Sequence, residues 1–85
     1  MKFGLTSVIN PFFTKLDFEI EVPENSRIDA TLITISGKAI RTESFNVYEG
    51  ANSLTINNTE TLPAGMYILQ IRNKDQIINN KVMKK

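Results

Sequence analysis

Eighty-five residues are enough for one domain and too few for two. With 41% hydrophobic and 22% charged residues the chain has the composition of a folded globular domain, not of a disordered tail, and no apolar run approaches the roughly 20 residues that cross a bilayer. Ten basic side chains against nine acidic ones leave a net charge of +1, too weak a field to draw the chain to a phosphate backbone, so nucleic acid is not an expected partner.

In chain order, the apolar stretch after Met1 and Lys2 is short, broken by Gly4, Thr6 and Ser7, and ended by Asn10-Pro11 without a small-residue cleavage pattern. It does not read as a secretory signal peptide. Met1 and Lys2 are expected to open a shortened form whose natural neighbour lies upstream. Val8-Ile9 precedes a proline, and the first ten residues are expected to pair as an edge strand. Leu16-Asp17-Phe18-Glu19-Ile20-Glu21-Val22 alternates apolar and acidic side chains, the signature of a half-buried strand. Pro23-Glu24-Asn25-Ser26 ends it with turn chemistry, and a hairpin is expected there.

Ile28, Ala30 and Leu32 continue on one face of a strand that ends near Ile35, and Ser36-Gly37 supplies a tight turn. In the next strand Ile40 is out of phase with Phe45 and Val47, so a bulge is expected at Thr42–Ser44. Glu49–Asn52 reads as a turn, Leu54 and Ile56 as a short strand, and Met66–Ile71 as a central strand covered on both faces. Arg72–Asp75 has loop composition, and Ile77–Met83 makes a closing strand with a basic tail. Short strands separated by Gly, Asn, Pro or Ser clusters predict an all-β fold: a small Ig-like sandwich of about seven antiparallel-rich strands.

Histidine and cysteine are both absent. Disulfides, thiolate chemistry, the commonest zinc ligand and the usual proton shuttle are therefore missing, and no catalytic residue, cofactor or metal is expected. The acidic row Asp17, Glu19, Glu21 has a same-face spacing of about 7 Å that suits paired-carboxylate chemistry or weak calcium binding; the plainer reading is the solvent face of an amphipathic strand. Asn57-Asn58-Thr59 matches a glycosylation pattern that loop polarity explains as well. Of the aromatic side chains, Phe18, Phe45 and Tyr67 follow core parity, while Phe12 and Phe13 must point to opposite sides. The terminal lysines read on their own as a soluble end that discourages edge pairing, and functionally as one element of a strand that docks on a partner.

Four pieces taken together resemble a known family. Asn10-Pro11-Phe12, Ser36-Gly37-Lys38-Ala39-Ile40, Leu62-Pro63-Ala64-Gly65-Met66-Tyr67 and Lys81-Val82-Met83-Lys84, in this order and spacing, look like the type A C-terminal sorting domain of the type IX secretion system. The resemblance implies a seven-stranded sandwich spanning residues 1–85, carried at the end of an exported cargo protein of Bacteroidetes-type bacteria. It further implies recognition by the translocon, removal by a sortase-like component, and a route through the periplasm to the cell surface or medium. By the same resemblance Asn10, Pro11, Gly37, Ile40 and Pro63 are structural positions, and Gly65, Tyr67, Lys81, Val82, Met83, Lys84 and Lys85 form the recognition segment. Ile9 stands where the family often has a proline, and Lys85 adds a lysine beyond the usual last one. Removal of Lys81–Lys85 is expected to spare the fold and abolish export. The rival functions are a carbohydrate-binding module, which needs an exposed aromatic platform, and a structural Ig-like spacer of a secreted enzyme or adhesin.

Overall fold

The alternating run Leu16–Val22 buries every second side chain, and in the computed structural model, which describes residues 3–85, it forms the middle of one of two packed sheets. The chain forms β1 (Gly4–Val8), β2 (Lys15–Val22), β3 (Ser26–Thr34), β4 (Ala39–Val47), β5 (Gly50–Asn57), β6 (Gly65–Asn73) and β7 (Gln76–Lys84), with no helix among the described residues. One sheet has the order β1-β2-β5 and the other β4-β3-β6-β7. Every ladder is antiparallel. This is the expected Ig-like sandwich, with β4 paired to β3 where the constant-type arrangement places the fourth strand beside the fifth. The edge strand expected at the front is β1, and the expectations placed on Met1 and Lys2 lie outside the described residues.

The core forms where the inward faces meet. β2 contributes Leu16, Phe18, Ile20 and Val22, opposed by Ile28, Ala30 and Leu32 of β3 and by Tyr67, Leu69 and Ile71 of β6. Phe18 and Phe45 meet edge to face with centroids 6.3 Å apart, the arrangement that ring quadrupoles favour. The β3–β4 connection is the tight turn read from Ser36-Gly37: Gly37 lies at φ +96°, its N–H donates to Thr34 O at 2.9 Å, and Thr34 N–H donates to Lys38 O at 2.8 Å.

The structure corrects five expectations. Pro23–Ser26 is no hairpin: β2 and β3 lie in different sheets, so this turn carries the chain across the sandwich. Asn25 shows why its turn residues misled, since Asn25 Oδ1 accepts from Glu49 N–H at 2.8 Å and ties this crossover to the β4–β5 crossover beside it. The bulge in β4 falls at Ile40–Arg41, where Leu32 pairs with Arg41 and Ile33 with Ala39, whereas Thr42–Ser44 are in regular register. Arg41 takes an inward position because its guanidinium reaches over to Asn57 O at 2.8 Å and Asn58 O at 3.1 Å, where a hydrophobic-only parity count puts it outside. β5 begins at Gly50 and is longer than Leu54 and Ile56 suggested. β6 is central, yet only its inward face is fully buried; Met66, Ile68 and Gln70 on the other face are half-buried. Finally, Arg72 and Asn73 belong to β6, and Lys74-Asp75 alone turn the chain into β7, with Lys74 at φ +58°.

Candidate functional site

Three segments distant in sequence meet at one end of the sandwich: the entry Asn10–Phe13, the corner Leu62–Tyr67 and the end of β7. At the corner, Gly65 lies at φ +145°, a conformation that side chains rarely adopt. A Cβ built there meets no atom within 4 Å, so backbone angle, and not close approach, is what calls for glycine. Two residues on, Tyr67 is buried and its hydroxyl donates to Pro63 O, closing the corner on itself in the manner of a tyrosine corner. The Phe12 ring packs against Tyr67 with centroids 6.3 Å apart. Pro63 itself is exposed and serves through its carbonyl.

The entry segment covers the outer edge of β7 over its last residues. Asn10 Oδ1 accepts from Met83 N–H at 2.7 Å, Phe12 N–H donates to Met83 O at 2.9 Å, and Lys85 N–H donates to Phe12 O at 2.9 Å. Asn10-Pro11 is cis, Phe12 is buried and Phe13 points outward, as adjacency in an extended chain requires. Edge N–H and C=O groups that would otherwise face water or another strand are thereby paired within the chain.

β7 sorts the proposed recognition residues by pleat. Val82 is fully buried against the core, and Lys84 is only 3% exposed. The Lys84 ammonium lies 4.7 Å from the centroid of the Phe13 ring and donates to the Lys85 main-chain oxygen at 2.9 Å, so its charge is held by a ring face and a carbonyl. Lys81, Met83 and Lys85 face outward. Val82 is opposite Tyr67 and Lys84 opposite Gly65, so removing residues 81–85 takes away part of the core and the partner of the corner. That deletion is therefore expected to weaken the fold, where the sequence alone suggested that the fold would be spared. Ile40 packs partly buried against the core at the bulge, and Gly37 holds its turn 3 residues earlier.

The remaining candidates are used locally. Asp17 accepts from Thr55 Oγ1 at 2.6 Å, and Glu19 accepts from Thr6 at 3.3 Å and Ser53 at 3.4 Å, so these carboxylates bond hydroxyls of the neighbouring strands. Among the described residues no group of three or more acidic side chains is gathered as a metal would need. The exposed rings Phe13 and Tyr48 lie beyond opposite ends of β2, about 25 Å apart along a strand of 8 residues, and do not make one stacking platform. Thr59 of the Asn-Asn-Thr pattern is fully buried, its hydroxyl donating to Phe13 O at 2.8 Å and its N–H to Thr14 O at 3.1 Å. Sequence reasoning missed Thr59, because a threonine in a polar loop carries no periodic signal. It also missed Arg41 as the side chain that spans the two sheets.

With the corner, the clamp and the strand in place, comparison with known families gives one result. A family model described as a secretion system C-terminal sorting domain matches residues 10–85. This chain belongs to the type IX secretion C-terminal sorting domain family. Comparison with curated proteins returned no match. The matched span of the sorting domain takes in β2 through β7 and begins at the residue whose side chain caps Met83, so corner, clamp and terminal strand all fall within it. Membership carries a sorting role and dealings with the type IX machinery, and it implies export to the cell surface or medium.

Proposed function

We propose that residues 1–85 form one non-catalytic C-terminal sorting domain that follows an upstream cargo protein and directs it through the type IX translocon. The cargo is then displayed on the surface or released, after a sortase-like component has separated it from the domain. The observation that carries this reading is the family match over residues 10–85, which includes six of the seven strands, the corner and the entry segment. The geometry supports a division of labour within the recognition segment. Gly65, Tyr67, Val82 and Lys84 shape and hold the end of the sheet, while Lys81, Met83 and Lys85 present side chains outward from it. Because Asn10 and Phe12 already pair with the edge of β7 at Met83 and Lys85, a partner there meets side chains, not free backbone.

The test is a fluorescent reporter with its own signal peptide, fused ahead of this chain and produced in a type IX-competent bacterium and in a strain lacking the translocon. Reporter outside the cell only in the competent strain is the expected result. Periplasmic retention in both strains contradicts the proposal.

A further inference from the structure

The two outer faces of the sandwich differ in kind. Outward positions on the three-stranded sheet carry Lys15, Asp17, Glu19 and Glu21 on β2, with Ser53 and Thr55 opposite on β5. The four-stranded sheet instead gathers large apolar side chains at the end that bears Gly65. Register sets Met66 beside Met83 and places Ile68 between Ile33 and Lys81, so two cross-strand rows lie side by side on one face. Ile33, Met66 and Ile68 are half-buried, Met83 is 42% exposed, and Ile35, in the adjoining β3–β4 turn, is 72% exposed. Lys81 stands in the second row and Lys38 in the turn beside it. Asp29, the acidic residue that faces outward on β3, lies about 13 Å further along that strand and bonds Ser44 at 2.6 Å.

We propose that this patch, Ile33, Ile35, Met66, Ile68 and Met83 with Lys81 among them, is the surface on which a protein of the secretion machinery docks, and that the complementary surface is apolar at its centre and acidic at its rim. The inference rests on the sorting reading for the source of the partner. Charge selects the occupant: a second copy laid face to face would set lysines against lysines, whereas carboxylates around an apolar centre satisfy both features of the patch. A lipid surface requires apolar side chains to reach about 5–10 Å into the headgroup boundary, and three of these five are half-buried in the pleat. The paired methionines adapt their shape to a partner at little cost. Continuity with β7 makes the patch the apolar extension of the outward row Lys81–Met83.

The test uses the reporter fusion with the full chain. Ile68→Glu and Lys81→Glu are expected to lower export at least tenfold while the melting temperature of the purified chain stays within a few degrees, and Glu21→Lys on the opposite face is expected to export normally. A photo-crosslinking residue placed at 68 is expected to capture a type IX component, and the same residue at 21 is not. Normal export of both patch variants overturns the face assignment and leaves sorting intact, and so does an adduct from position 68 to lipid or to a second copy. A parent fusion that is not exported removes the sorting reading and this inference with it. If a patch variant melts early, Lys81→Ala and the crosslink from position 68 decide, and failure of both overturns the proposal.

Discussion

Gly65 and Tyr67 divide between them the work of turning a loop into a central strand. Gly65 at φ +145° takes an angle that costs other residues on the order of 1–3 kcal/mol, and because a Cβ at this position would have no atom within 4 Å, the cost is conformational. Gly65→Val is expected to lower the melting temperature by roughly 4–8 °C per kcal/mol lost, and Gly65→Ala to do so to a smaller extent; an unchanged midpoint for both contradicts the backbone account. Tyr67→Phe leaves the ring against Phe12 and strips the bond to Pro63 O, which is expected to cost about 1 kcal/mol in a denaturant melt. An equal stability for the two proteins would mean that the hydroxyl contributes nothing. At this scale the sequence was legible where a residue type has one strong reason to be present, as with glycine at a corner. It was not legible for Arg41, Thr59 and Lys84, whose places depend on carbonyls and a ring supplied by segments far away in the chain.

Strands were legible as elements because period-two alternation reports which face is buried, and β2 follows it from end to end. Pairing was not. Turn residues mark a reversal without saying whether the returning strand stays in the sheet, and Pro23–Ser26 crosses where a hairpin was expected. The bulge shows the same limit: the parity conflict was visible, but its position depends on an arginine that points inward. The clamp on β7 joins residues more than seventy positions apart and left no local trace. Asn10→Ala removes the acceptor of Met83 N–H; that amide is expected to exchange with solvent faster, and stability to fall by about 1 kcal/mol. Unchanged exchange at Met83 would show that the entry segment does not hold the edge. Deleting residues 81–85 is expected to lower stability by roughly 3 kcal/mol or more, since Val82 leaves the core, and a full, cooperative melt near the parent midpoint would refute that.

The whole molecule is a sandwich with one carboxylate-bearing face, one face whose end near Gly65 is apolar and carries Lys81, and one end at which entry segment, corner and terminal strand are pinned together. The family resemblance was legible because its four motifs are local and ordered, and the match over residues 10–85 agrees with it. Their assembly at one end comes from the topology. Under the proposed recognition role, this assembly separates residues that build the surface from residues that a partner would meet. The triple substitution Lys81→Ala, Met83→Ala, Lys85→Ala alters two outward positions of β7 and the exposed residue that follows it, and leaves Val82 and Lys84 in place, so it distinguishes the two roles in one protein. Export of the fused reporter by this variant, measured beside its melting temperature, is the most direct test. Loss of export with a melt within a few degrees of the parent is expected, and undiminished export from an equally folded variant would contradict the account.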